Sequence, residues 1–140
     1  MNGLIFLLTS LCYHRVPTIA YLNNLIINVT EQMEAYDLNK VTHLIQDFVC
    51  DELSNWYIRR NRRRFWGSKL DTSKKAVYKT TYDVLEGLCR LIAPVVPFVS
   101  DEIYTALTNE ESVHLANYPE YNEVLKESTQ VCSIQDSKEY

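Results

Sequence analysis

Glycine is scarce in this chain: three residues in 140, alongside four prolines. That supply excludes glycine-rich phosphate cradles, and neither G-x-x-x-x-G-K-[ST] nor G-x-G-x-x-G occurs, nor the nucleophile motif G-x-S-x-G. It also leaves little material for turns, which argues for long helices joined by short loops. The four cysteines, Cys12, Cys50, Cys89 and Cys132, stand far apart with no C-x-x-C pair, so neither a disulfide framework nor a cysteine metal site is expected. Cys50 and Cys89 fall in apolar helical stretches and read as small buried hydrophobes, and a reducing cytoplasm is the simplest setting. His14, His43 and His114 are isolated, and the acid pairs Asp51-Glu52 and Asp101-Glu102 point to different sides of a helix. No catalytic residue and no metal ligand is assigned. The apolar run from Leu4 to Tyr13 is too short to span a bilayer. No lysine or arginine precedes it and no small-x-small site follows, so export is a weak alternative and no membrane partner is expected.

What is present is helical periodicity and a polarised charge. Ile19, Leu22, Ile26, Val29, Met33 and Tyr36 step by three and four, which predicts a first helix from Thr18. Asp37 or Asn39 caps a second, carrying Val41, Leu44, Ile45, Phe48, Val49, Leu53, Trp56 and Tyr57 and running to Trp66, with Gly67 as a left-handed stop. Asp71 or Thr72 caps a third, with Val77, Thr81, Val84, Leu85, Leu88 and Ile92 at helical spacing and Gly87 permitting a close neighbour. Pro94 and Pro97 end it and start a fourth, with Val99, Ile103 and Leu107 facing inward. The expected fold is all-α, an antiparallel bundle of about four helices. Residues 1–17 form an unassigned apolar segment, 18–112 the bundle, and 113–140 an irregular acidic tail.

The net charge of -4 hides an asymmetry. Residues 59–79 hold nine basic residues against Asp71 alone, whereas residues 91–140 hold nine acids against Lys126 and Lys138. Five of the basic residues are the arginines of Asn55-Trp56-Tyr57-Ile58-Arg59-Arg60-Asn61-Arg62-Arg63-Arg64-Phe65-Trp66. On a helix they cover most of the circumference, so no single buried face holds them. Arginine forks onto phosphate, stacks on bases and stays charged, and the flanking aromatic rings offer faces to unstacked bases. The other reading places Trp56 and Tyr57 in the core, leaves Trp66 open between core and contact, and pairs the arginines with Asp47, Asp51, Glu52 and the acidic second half of the chain. Lys74, Lys75 and Lys79 crowd the start of the third helix against its dipole, a placement an anion would relieve. These residues indicate a helical bundle with one RNA-binding end.

The stretch from Asp51 to Trp66 resembles the signature of the isoleucyl-tRNA synthetase anticodon-binding domain, a class Ia family. Leu91-Ile92-Ala93-Pro94-Val95-Val96-Pro97-Phe98, followed by Asp101-Glu102-Ile103-Tyr104, resembles the helix-breaking segment that this subgroup carries next. Valyl, leucyl and methionyl synthetases share the bundle, and the equivalent domain of one of them is an alternative. The resemblance implies isoleucine tRNA and the parent's catalytic domain as partners and a cytoplasmic setting. It implies Arg59, Arg60, Arg62, Arg63, Arg64, Lys69 and Lys74 as phosphate contacts, with Asn55, Asn61 and Trp66 toward bases. The parent enzyme would join isoleucine to tRNA with ATP and magnesium. This chain carries neither the histidine-glycine-histidine nor the lysine-methionine-serine-lysine motif and no editing domain, so the expectation is a fragment without cofactor that contacts tRNA but does not charge it. A rival from another class is a protein-interaction module whose basic end docks an acidic partner.

Overall fold

The computed structural model describes the backbone of residues 2–68 and 71–121, and side chains from residue 18 onward. Among the described residues there are five α-helices and no strand, in the order α1 (Asn2–Glu34), α2 (Leu38–Asp47), α3 (Arg62–Trp66), α4 (Thr72–Ile92) and α5 (Pro97–Thr108). A π-helical segment, Phe48–Ile58, joins α2 toward α3, and a 3-10 turn spans Val113–Leu115.

The first helix starts at Asn2, and its core stripe is Leu22, Leu25, Ile26 and Val29. Tyr36, expected on that stripe, instead ends the helix in the left-handed region with φ 58° and a ring 91% exposed. The Tyr36 amide donates to the Met33 carbonyl and the Asp37 amide to that of Gln32, both at 3.0 Å. These are the paired bonds of a Schellman stop, here built on tyrosine where glycine is the usual choice. Asp37 then caps α2, its carboxylate accepting from the Lys40 amide at 3.2 Å.

The expected single helix from Asp37 to Trp66 is interrupted twice. From Phe48 the hydrogen bonding widens, so that the Arg59 amide donates to the carbonyl of Ser54, five residues back. The buried residues of the segment, Phe48, Leu53 and Tyr57, fall at spacings of five and four, which only this wider helix brings to one face. Cys50, two residues past buried Phe48, is on the outer side and exposed, not the buried hydrophobe its neighbours suggest, whereas Cys89 is buried and its thiol pKa raised by that burial. At Asn61 the backbone leaves the helical region with ψ 7° before α3 begins. Gly67 closes α3 in an extended conformation, φ -56° and ψ 137°, not as a left-handed cap.

The main core joins α1, α2, the π segment and α4 through Leu22, Ile26, Val29, Val41, Phe48, Leu53, Tyr57, Val77, Val84 and Leu88. Gly87 lets α1 come close: a Cβ there would lie 3.2 Å from Leu22 Cδ2. Asp71 caps α4, accepting from the Thr72 amide at 2.7 Å. Pro97 occupies the first turn of α5 as expected, yet the inward face is one residue off the expected one. Ser100 and Tyr104 are buried, while Val99 is 54% and Ile103 39% exposed and Leu107 is half-buried. The buried hydroxyls are satisfied locally, Ser100 donating to the Val96 carbonyl at 2.8 Å and Tyr104 to Glu110 at 2.5 Å. After Thr108 the chain packs back rather than fraying: Val113 is buried with Cys89, Ala93 and Tyr104, and Asp101 accepts from the Ser112 hydroxyl and the Val113 amide. The tail from residue 122 lies outside the described residues.

Candidate nucleic-acid interface

The arginine stretch is held against the first turns of α4 by three links. Tyr57 is buried and donates its hydroxyl to the Val77 carbonyl at 3.3 Å. Phe65 meets Tyr78 edge-on, ring centroids 5.3 Å apart. Arg64 donates from Nε to the Ser73 hydroxyl at 2.7 Å. Between the π segment, α3 and α4 these contacts leave an open groove of 520 Å³, lined chiefly by Asn55, Arg59, Arg62, Phe65, Trp66 and Tyr78. Its volume falls within the range of about 300–1,000 Å³ that small-ligand sites occupy.

The ten residues expected to touch RNA separate into groups. Asn55, Arg59, Arg62 and Trp66 line the groove together. The Arg62 guanidinium lies 4.5 Å from the centroid of the Trp66 ring, which is 75% exposed. This pair sets a planar cation over an aromatic face at the groove's edge, the arrangement that receives a base and a phosphate together. Arg60 turns to a different side and lies over Trp56 at 5.5 Å. Trp56 itself is half-buried and packs on the core, as Tyr57 does more fully. Arg63 is exposed. Among the described residues, ion pairs join Lys40 to Asp37, Lys79 to Asp83 and Arg90 to Glu86.

Three of the ten are turned to structural work. Asn61 is 1% exposed, its amide nitrogen donating to the Tyr57 carbonyl at 2.9 Å and its oxygen accepting from Arg64 Nη1 at 3.0 Å. Asn61 therefore offers no edge to a base, and Arg64 is a strut between α3 and α4. Lys74 donates to the Gly67 carbonyl at 2.8 Å, closing the exposed end of α3, and also lies 5.7 Å from the Tyr78 ring. Lys69 lies outside the described residues. Tyr78 was not expected at the site. Its signal was available: an aromatic residue four positions after Lys74, on the exposed side of the basic helix start.

Among the described residues no cluster of histidine, cysteine and carboxylate groups could hold a metal ion, and no helix is long and apolar enough to cross a membrane. The groove thus sets guanidinium groups and aromatic rings side by side on one open surface.

The family described as the anticodon-binding domain of tRNA ligase matches residues 18–139. The chain is similar to an isoleucine–tRNA ligase of Bacteroides thetaiotaomicron, 44% identical over 111 residues, covering 75% of this chain and 10% of the relative. An isoleucine–tRNA ligase of Clostridium novyi is 46% identical over 107 residues, 72% of this chain and 10% of the relative. One of Treponema denticola is 43% identical over 107 residues, 74% and 10% of the two chains. The chain thus spans about a tenth of the length of these curated relatives. An all-helical bundle with a basic, aromatic groove at one end, matched over most of its length, belongs to the anticodon-binding domain family of tRNA ligases.

Proposed function

We propose that this chain is the anticodon-binding part of an isoleucine–tRNA ligase and that it binds the anticodon stem-loop of isoleucine tRNA in the cytoplasm. The observation that carries the reading is the groove that Arg59 and Arg62 line beside exposed Trp66, with Arg62 over the Trp66 ring. Arg59, Arg62 and Arg63 neutralise phosphates, Trp66 and Tyr78 supply stacking faces, and Asn55 presents a side-chain amide to a base edge. The bundle of residues 18–112 supplies this surface, and the segments 1–17 and 113–140 flank it. Amino-acid activation with ATP and magnesium belongs to the catalytic domain of the parent enzyme.

Tryptophan fluorescence titration with isoleucine tRNA at several salt concentrations tests this. The logarithm of affinity should fall linearly with that of salt, with a slope of about -0.7 to -0.9 per phosphate neutralised. Arg62→Ala with Arg63→Ala should weaken binding and flatten the slope by about two such units. No binding at low salt, or binding indifferent to the double substitution, refutes the reading.

A further inference from the structure

The wall that α4 gives the groove continues along the outside of the helix. Lys75 is followed three and four residues on by Tyr78 and Lys79, and these four and three residues on by Tyr82, so the four share one face of α4. Tyr78 belongs to both surfaces. It lines the groove, its ring is 49% exposed, and Lys74 lies 5.7 Å from that ring. One turn further on, Lys79 lies 5.1 Å from the centroid of the Tyr82 ring and 2.7 Å from Asp83. Lys75 and Lys79 are both exposed. Acids then begin at Asp83 and Glu86, so the basic strip from Lys75 to Tyr82 is about 10 Å long.

Its chemistry differs from that of the groove. The groove sets arginine planes beside a tryptophan, which suits bases that are unstacked and can lie flat against a ring. The strip carries lysine and tyrosine and no arginine. Lysine is a compact, strongly hydrated point charge on a flexible stem, and it follows a phosphate chain without requiring a planar partner. Phosphates and ribose hydroxyls are what a paired RNA stem offers, because its bases are stacked inside and its deep groove is closed to side chains. The strip also adjoins the groove through Tyr78, so RNA whose unpaired part sits in the groove has its paired part within reach of the lysines.

We propose that Lys75 and Lys79, the latter carried on the Tyr82 ring, bind the sugar–phosphate backbone of a paired RNA stem while the unpaired loop joined to that stem occupies the groove. The inference rests on the reading of the groove as the seat of an anticodon loop. It adds a division of labour: unpaired nucleotides go to arginine and tryptophan, paired ones to the lysine face of α4. Asp83 and Glu86 set how far along the helix the stem lies, since carboxylates there repel phosphate.

The test titrates the full chain with two RNAs, the anticodon hairpin of isoleucine tRNA and its loop sequence as a linear strand. Lys75→Ala with Lys79→Ala should weaken hairpin binding about tenfold, flatten its salt slope by about two, and leave binding of the linear strand within about twofold of the parent chain. Equal loss on both RNAs would make the lysines part of the loop site, and no loss on the hairpin would mean that the strip meets something other than RNA. Either result overturns the proposal. Acetylation of the unsubstituted chain, followed at each lysine by mass spectrometry, gives a second measurement that does not depend on how a variant folds. The hairpin should slow modification of Lys75 and Lys79 at least about fivefold, and the linear strand should not, because only the hairpin brings paired backbone to them. Equal rates with and without the hairpin overturn the proposal. Arg62→Ala tests the groove separately and should weaken both RNAs. If it weakens neither while the lysine substitutions still act on the hairpin alone, the loop assignment fails and the stem strip stands; if neither RNA binds the parent chain, both fall.

Discussion

Arg64 and Ser73 join α3 to α4 through one hydrogen bond of 2.7 Å, and the same guanidinium holds the buried Asn61 at 3.0 Å. The arginine cluster is thereby divided in its duties. Arg64→Ala should lower stability by about 1–2 kcal/mol, since it leaves the Asn61 oxygen unsatisfied. Arg63→Ala should stay within about 0.5 kcal/mol of the parent chain and act on tRNA affinity alone. Urea unfolding of the two variants, read beside their tRNA titrations, checks the division. Equal destabilisation would show that Arg64 is no strut.

Tyr36 holds a left-handed conformation at φ 58° with its ring almost wholly in solvent. The backbone cost of a side chain there is about 1–2 kcal/mol, and the exposed ring returns little packing. Tyr36→Gly should raise the thermal midpoint, with a net gain of about 1 kcal/mol after the entropy glycine loses on folding. A lowered midpoint would mean that the ring carries packing.

Gly87 sets the distance between α1 and α4. Alanine there needs Leu22 Cδ2 to yield a few tenths of an ångström from 3.2 Å, and the gain in helix propensity of about 1 kcal/mol offsets that. Gly87→Ala should be nearly neutral. Gly87→Val should cost about 1–3 kcal/mol through overpacking, measurable as a shift in the urea midpoint with unchanged slope.

The second cluster answers to pH in both directions. Tyr104 donates to Glu110, and that bond, with burial, raises its pKa from 10.0 to about 12. A raised folded-state pKa favours the neutral phenol, so its contribution is complete below pH 10 and is lost between 10 and about 12. Asp101 runs the other way. The Ser112 hydroxyl and Val113 amide lower its pKa from 3.8, so its contribution is present above that pH and is lost in acid, below it. Tyr104→Phe should flatten the alkaline limb of a stability profile and Asp101→Ala the acid limb. Unaltered limbs would show that these bonds do not hold the 109–121 stretch.

Much of this was legible in sequence because helical periodicity reports burial directly: the stripe through Leu22, Ile26 and Val29 and the Pro97 start read correctly, and of the paired cap candidates the structure uses Asp37 over Asn39 and Asp71 over Thr72. The failures share a physical cause. Val99 and Ile103 were placed inward by hydrophobicity, but Ser100 and Tyr104 satisfy their own hydroxyls and take the buried side. Gly67 was given the left-handed stop that Tyr36 and Asn109 adopt instead. At the groove, composition marked the arginines as a group and Trp66 with them. Which arginine is a strut and which is free depends on Ser73 and Asn61, partners that no spacing rule reveals.

The π-helical segment has a consequence for the groove that no single substitution would expose. Each wide turn between Phe48 and Ile58 takes in more residues than an α-helical turn, so the length of this stretch sets the direction in which Asn55, Arg59 and the arginines beyond it face. Removing one residue near Cys50 would let the segment tighten toward α geometry and swing every downstream side chain around the axis. Every arginine would survive, yet the groove would be dismantled, as a key is spoiled by twisting its shank with the teeth left uncut.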